Sequence, residues 1–309
     1  MNWHENTQTL MMSLREINLS DRTYYLPCFD GLDDLVESVK RVGILSPPFV
    51  TRNEHGQMIP VTGRRRLMAA LRAEAESTAV REVPSCVSER NLVDLIFWDN
   101  LWRIRGNLVC AAIMIERLFR ALPSQVVAEQ YMQWMGIPPR GPRVARLRSI
   151  ANLEERCLRD IWSGRILEKT AALLTRLTDE ERSVILDFCF HFGWNANKNA
   201  EVVQALYDVS IFRNRPVVEI ISEISETIQK KYPDAVLSQK ADNMRELIKS
   251  MKSPDLDHHE SLFHEWRDNL ELPSNILVRH AQSFESEALT IELKVNSKEQ
   301  AEELIKKIL

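Results

Sequence analysis

Three consecutive arginines follow a glycine in the segment Thr62–Leu71, which reads TGRRRLMAAL. The four residues before it, Met58–Val61, have the composition of a short strand, and the apolar residues after it recur at helical spacing. Gly63 is therefore predicted to form the turn between a strand and a helix, with the arginines on the first helical turn. The backbone dipole already makes that turn positive, so cations there are disfavoured. The pattern therefore indicates an anionic partner at the turn, although a solvated basic helix start stays open as the alternative.

A second group of arginines lies between Pro139 and Arg176, where nine basic and four acidic residues leave a local balance of +5. The whole chain has a net charge of −4, so the positive charge is concentrated in one stretch. Such a concentration is typical of a protein surface that binds the phosphate backbone of nucleic acid.

Two helices are predicted around this stretch, the first from about Ser124 to Met135 and the second starting near Arg143. Arginine forks match the O6 and N7 atoms of guanine, whereas an arginine that points away from the bases more often meets a phosphate. An ordinary bundle helix with solvated charges is the alternative. The residues predicted to contact DNA are Ser124, Gln125, Arg140, Arg143, Arg146 and, through phosphate, Arg148.

Composition narrows the class of protein. The chain has 309 residues, 44% hydrophobic and 27% charged, which predicts a folded soluble protein of two or three domains. No stretch has the length of a membrane span, and no secretory signal is visible, so a cytoplasmic location is expected. Five scattered cysteines without a CxxC pair indicate a reducing compartment and argue against a zinc site. The residues Trp98, Trp102, Trp134 and Trp162 are predicted to lie in the core.

The predicted fold is α+β and multidomain: a small α/β domain, an all-α middle domain, and a small ββα segment. That last segment has too small a core to stand alone, so it is expected to pair with a second copy as a homodimer. The predicted boundaries are 1–20 for a flexible lead-in, 21–105 for the α/β domain, 106–232 for the helical DNA-binding domain, 233–254 for a linker containing one helix, and 255–309 for the dimerisation segment.

Three segments, in order, resemble motifs of the ParB family of partition proteins: SVKRVGILSPPFV, TGRRRLMAA and DNLWR. The resemblance covers most of the chain and implies a ParB/sulfiredoxin-like N-terminal domain that binds CTP with Mg²⁺. It also implies a helix-turn-helix that reads a centromere-like site in double-stranded DNA, a homodimer, and association with a nucleoid or plasmid. A ParA-like ATPase partner and a weak CTPase activity stay open.

The resemblance also assigns roles to residues. Arg65 and Arg66 align with the family's phosphate-contacting pair, and Asp99 and Asn100 align with the residues that hold the metal. The implied nucleotide-binding residues are Ser46, Pro47, Gly63, Arg64, Arg65, Arg66, Asn100 and Arg103, and the implied metal ligands are Asp99 and Asn100.

Four positions depart from the family pattern. Arg64 replaces the usual glutamate, Met68 a later arginine, Ser46 a glutamine, and Asp99 a longer glutamate. These changes argue against hydrolysis more than against binding. Two other functions therefore stay open: a ParB-fold enzyme, either a nucleotide-dependent kinase or a nuclease, and a ParB-derived transcriptional regulator that lacks nucleotide binding. Sulfiredoxin activity is not expected, because its catalytic cysteine would fall near Arg64.

Overall fold

The described part of the chain is mostly helical, with one four-stranded sheet and one two-stranded sheet. It divides into two compact units, the first spanning Met1–Thr178 with Asn195–Ala200 and the second Asp179–Trp194 with Glu201–Leu309. The predicted domain boundaries differ from this division and stay predictions. The computed structural model describes residues 7–84, 86–139, 141–252, 262–263, 265–270, 272, 276–280, 289–295 and 297–298.

The strands are β1 (Thr9–Ser13), β2 (Phe49–Arg52), β3 (Met58–Pro60), β4 (Ser77–Glu82), β5 (Ile276–His280) and β6 (Leu289–Leu293). The helices are α1 (Asp33–Val42), α2 (Arg64–Arg72), α3 (Glu89–Asp99), α4 (Leu101–Gly106), α5 (Leu108–Ala121), α6 (Ser124–Gln130), α7 (Met132–Met135), α8 (Pro142–Ile150), α9 (Glu155–Trp162), α10 (Glu168–Leu174), α11 (Asp179–His191), α12 (Ala196–Arg213), α13 (Val217–Lys231) and α14 (Leu237–Lys252).

The four-stranded sheet of the first unit has the order β1-β4-β2-β3, in which β2 and β4 are parallel and the other two pairs are antiparallel. Helix α2 covers it with Leu67 and Ala70, which pack with Val50 and Val80 of the central strands. On its other side α2 contacts α1 through Ala69. The predicted strand–turn–strand–glycine–helix order is confirmed, and this packing fixes where α2 begins.

The prediction of a flexible lead-in over residues 1–20 is wrong for residues 9–17. Strand β1 pairs antiparallel with β4 along its whole length, and a 3₁₀ turn at Leu14–Glu16 follows it. Leu14 and Ile17 are buried in the core of the sheet. This stretch is ordered by burial of two apolar side chains, a tertiary effect that its weak local pattern did not reveal.

Helix α5 lies at the centre of the helical part of the first unit and contacts α3, α4, α6, α8 and α9. It is buried nearly all round, as its almost uninterrupted apolar sequence requires. The predicted helix from Ser124 to Met135 is instead two short helices, α6 and α7, separated at Tyr131. The side chain of Tyr131 is buried against Phe97, and its hydroxyl donates to Asp94 Oδ1 at 3.1 Å. These contacts hold the residue at the break.

In the second unit, α13 packs against α11 and α14. Helix α14 was predicted inside a linker; the helix is confirmed, but it buries Ala241, Met244, Ile248 and Met251 and is therefore a packed element. The predicted strands near the C-terminus form the antiparallel pair β5–β6. The closing helix and most of the predicted dimerisation segment lie outside the described residues. No helix among the described residues is long and apolar enough to cross a membrane.

Candidate functional site

The turn between β3 and α2 requires glycine for two separate reasons. Gly63 has a φ of 69°, in the left-handed region that side chains with a Cβ rarely adopt. A Cβ atom at this position would also lie 2.9 Å from Pro48 Cβ and 2.9 Å from Arg66 Nη2. No acidic residue lies in the first turn of α2, so the three arginines meet the positive end of the helix without local compensation.

Three of the predicted site residues meet beside this glycine, although they come from separate segments. Arg66 donates to the carbonyl oxygen of Ser46, and its Nη2 lies 3.8 Å from Asp99 Oδ2. The Arg66 side chain is only 23% exposed, so its guanidinium is partly shielded from solvent. Next to the turn, the hydroxyl of Thr62 is buried and has no hydrogen-bond partner among the described residues. Sequence reasoning missed Thr62, because a hydroxyl left without a partner has no sequence signal.

Arg103 and Asn100 form the second part of the site. Arg103 donates to Asn100 Oδ1 at 3.2 Å and to the Pro27 carbonyl oxygen at 2.7 Å. The Asn100 amide nitrogen donates to the Ile96 carbonyl oxygen at 2.9 Å, which fixes the side chain at the end of α3. Pro47 lies between Ser46 and Pro48 in the chain.

The predicted Mg²⁺ ligands fit the metal in type. Asp99 offers a half-exposed carboxylate and Asn100 an amide oxygen, and hard oxygen donors are what Mg²⁺ prefers. Both residues lie at the C-terminal end of α3, where the helix dipole also favours a cation. Among the described residues no three His, Cys, Asp or Glu side chains gather as a metal cage. A magnesium ion here would therefore complete its coordination with water and ligand oxygens.

Arg64 does not join this group. Its guanidinium donates to the carbonyl oxygens of Leu19 and Asp21 and lies 4.8 Å from the centre of the Tyr25 ring. Burial lowers the pKa of the Arg64 guanidinium, and the nearby Tyr25 and Asp21 offset this only in part. This placement argues against the phosphate role predicted for Arg64. Where the family motif usually has a glutamate, this chain therefore has an arginine, Arg64, whose contacts are structural.

The segment 19–31 receives hydrogen bonds from four arginines, which are Arg64, Arg65, Arg103 and Arg117. Arg65 donates to the Gly31 carbonyl oxygen at 2.7 Å and to the Cys28 thiol, and lies 3.7 Å from Asp30. Sequence reasoning missed Arg117 altogether, because nothing in α5 marks it as different from other charged positions. The carbonyl oxygens involved are those of Leu19 and Asp21 with Arg64, of Thr23, Tyr24 and Tyr25 with Arg117, of Pro27 with Arg103, and of Gly31 with Arg65.

The predicted DNA-reading arginines lie on α8. Arg143 and Arg146 are both on its exposed face, and each side chain is 45% exposed. Arg148 is turned away: its Nε donates to Glu116 of α5 at 2.8 Å, and its guanidinium lies 4.8 Å from the centre of the Phe119 ring. Arg148 therefore braces α8 against α5, and a phosphate contact would require it to leave that carboxylate. Arg140 lies outside the described residues.

The remaining predicted DNA contacts lie at the start of α6. Ser124 and Gln125 are exposed, and Gln125 Nε2 donates to Glu129 Oε1 at 2.9 Å. Both side chains thus lie on the surface of the same unit as α8, at the first turn of α6. The structure is compatible with their predicted role and adds no contact that tests it.

The prediction that the tryptophans are core residues is wrong for three of the four. Trp98, Trp102 and Trp134 are 46%, 74% and 42% exposed, and the rings of Trp98 and Trp134 meet edge to face at 5.3 Å. Only Trp162 is half-buried; its Nε1 donates to Asp30 Oδ1 at 2.8 Å. Aromatic residues at helical spacing do not by themselves show which face of the helix is covered.

Comparison with known proteins gives structural matches only. No family model matches the chain, and no curated protein matches it. A solved structure of C-terminally truncated ParB from Caulobacter crescentus with CTP-γ-S is 18% identical; the match covers 58% of this chain and 99% of that one, at a TM-score of 0.27. The same protein complexed to the centromeric parS site is 15% identical, with 63% and 98% covered and a TM-score of 0.29.

A third structure, a Pnob8-like ParB-N domain, is 12% identical, and the match covers 80% of this chain and 98% of that one at a TM-score of 0.36. All three are ParB proteins, the family that the sequence motifs resemble.

Proposed function

We propose that the chain is a ParB-like protein that binds double-stranded DNA and, at the Gly63 turn, a nucleoside triphosphate, CTP with Mg²⁺. One observation carries the proposal. Ser46, Arg66 and Asp99 belong to three motifs that are 20 to 53 residues apart in sequence, and the fold brings them into contact at that turn.

Arg66 and Arg65 have partners that an anion can replace. Each donates to a neutral carbonyl oxygen, and the nearest carboxylate lies at 3.8 Å for Arg66 and 3.7 Å for Arg65. Hydrogen bonds from a guanidinium to a phosphate oxygen are roughly twice as strong as those between neutral groups. The first N–H groups of α2 have no partner inside the helix and add further donors for an anion. A triphosphate is therefore a better acceptor here than the carbonyl groups.

Asp99 and Asn100 would hold the magnesium ion, which neutralises part of the triphosphate charge when bound. Arg103 lies beside Asn100 and would contact a phosphate from the same side. Asp99 has a shorter side chain than the glutamate of the family motif, which supports nucleotide binding without efficient hydrolysis.

Helix α8 is the proposed DNA-reading element. Its sequence contains three arginines and no acid, and Arg143 and Arg146 lie on its exposed face near the N-terminal end. Recognition helices of helix-turn-helix proteins contact bases from that end. Homodimerisation through residues 255–309, a ParA-like ATPase partner, a role in partition as a nucleotide-dependent clamp, and association with a nucleoid or plasmid belong to the same proposal.

Titration calorimetry with CTP, ATP and GTP in the presence of Mg²⁺ tests the nucleotide site. Arg66→Ala is expected to weaken binding about 10- to 100-fold, because a hydrogen bond to a charged group contributes roughly 1.5–3 kcal/mol. Arg72→Ala is the matched control, since Arg72 lies at the other end of α2 and is 58% exposed. If the wild-type chain gives no heat with any nucleotide, the nucleotide half of the proposal is wrong.

Selection of duplexes from a random pool, with and without CTP, tests the DNA half. The double variant Arg143→Ala with Arg146→Ala is expected to lose binding to the selected duplex. Equal affinity of that variant and the wild-type chain would remove α8 from the proposal.

A second candidate is a DNA-binding regulator that has kept the fold and lost the nucleotide. The observation in its favour is that Arg64, Arg65 and Arg66 each have an acceptor within the chain. This candidate predicts duplex binding that CTP does not change. Nucleotide turnover in the absence of DNA would instead favour a ParB-fold enzyme.

A further inference from the structure

Glu168 holds both of the arginines that are proposed to read DNA. It is the first residue of α10, which packs against α8. Arg143 forms two hydrogen bonds with its carboxylate, from Nε to Oε1 at 3.1 Å and from Nη2 to Oε2 at 3.0 Å. Arg146 Nη2 lies 3.8 Å from Oε1 of the same carboxylate.

The two hydrogen bonds use the donors that DNA would need. A guanidinium contacts guanine O6 and N7, or a phosphate, through the same two-pronged edge that Arg143 presents to Glu168. The Glu168 side chain is only 25% exposed, which limits screening of the pair by water. The carboxylate would also repel a phosphate that approached either arginine.

Space for an exchange of partners exists beside the pair. An open cavity of about 300 Å³ is bordered by Arg143 and Glu168, together with Arg105, Gly136 and Leu147. Movement of the Arg143 side chain away from Glu168 would be into this cavity or into solvent, since the side chain is 45% exposed.

From this arrangement we infer that Glu168 is a specificity-determining residue. Its carboxylate competes with nonspecific phosphates for Arg143 and Arg146. The two arginines leave it only for a DNA site that offers a better-placed pair of acceptors. The inference rests on the proposed DNA binding and adds to it the reason that the basic stretch does not bind any duplex equally well. Residues 139–176 should therefore bind nonspecific DNA more weakly than their net charge of +5 alone predicts.

The test compares Glu168→Gln with a control variant of equal charge change. Glu82→Gln is suitable, since Glu82 pairs with Arg52 at 3.3 Å in the sheet and its side chain is 35% exposed. Fluorescence anisotropy would measure binding to the selected duplex and to a shuffled duplex of the same length, at several salt concentrations. Glu168→Gln is expected to bind the shuffled duplex about 5- to 10-fold more tightly, with a salt slope steeper by about one phosphate contact.

Affinity for the selected duplex should change less, so the ratio of specific to nonspecific affinity falls. Adding Arg143→Gln to Glu168→Gln should remove the gain, and the absence of a comparable gain in Glu82→Gln separates release of Arg143 from a general loss of negative charge. If Glu168→Gln and Glu82→Gln affect both duplexes equally, the inference is wrong while DNA binding stands. If the wild-type chain binds no duplex, both the proposed DNA binding and this inference fall.

Discussion

Substitution of Gly63 by alanine tests whether the turn is as tightly enclosed as its surroundings indicate. The φ of 69° makes any residue with a Cβ unfavourable there. In addition, the new methyl group would lie 2.9 Å from Pro48 Cβ and from Arg66 Nη2. The proline ring cannot turn aside, and movement of Arg66 would disturb its contacts with Ser46 and Asp99.

The size of the effect follows from two contributions. Left-handed backbone costs an alanine about 1–2 kcal/mol, and overpacking of an enclosed position costs about 1–3 kcal/mol more. Gly56 supplies the matched control, because its φ is 74° and a Cβ there would meet nothing within 4 Å. Gly56→Ala should therefore cost only the backbone contribution, and the difference between the two variants should be about 1–3 kcal/mol.

Thermal and urea denaturation of the two variants and the wild-type chain would measure this difference. An extra 1 kcal/mol lowers the melting temperature of a domain of 150–250 residues by about 2–4 °C. Gly63→Ala should therefore melt several degrees below Gly56→Ala and should also bind nucleotide less tightly. Equal melting temperatures for the two variants would refute the reasoning, because they would show that Pro48 and Arg66 do not enclose the turn.

Two further predictions concern buried polar groups. Thr62→Val should leave stability unchanged or raise it by about 1 kcal/mol, because the buried hydroxyl has no partner to lose; a clear fall in the unfolding free energy would show that it has one. Burial raises the pKa of Glu116, but hydrogen bonds from Arg148 and Arg120 outweigh burial and lower it below 4.5. A carboxylate whose pKa is lower in the folded than in the unfolded state stabilises the fold above the unfolded-state pKa. This contribution is lost as the pH falls through the folded-state pKa. In urea titrations the stability advantage of the wild-type chain over Glu116→Gln, about 1 kcal/mol at neutral pH, should therefore decrease as the pH falls below 4.5, and a difference that stays constant with pH would contradict this prediction.

The local order of elements around Gly63 could be predicted from the sequence. The end of α1 at Gly43 and the turn at Gly63 follow from the backbone freedom of glycine, and both have the expected positive φ. The strands β2 and β3 follow from short apolar runs bounded by turn residues. These features depend on residues within a few positions of one another, so they can be predicted from the sequence.

The partners of the arginines were decided by the tertiary structure alone. Arg143 could be seen as a candidate for DNA contact, but Glu168 is 25 residues away, and only the packing of α10 against α8 brings the two together. In the same way, Arg64 is drawn to carbonyl groups more than 40 residues distant. A guanidinium on a long flexible side chain takes the best acceptor within reach, and the fold determines which acceptors those are. The sequence therefore determined which residues carry charge and on which elements they lie, whereas tertiary packing decided what each charge contacts.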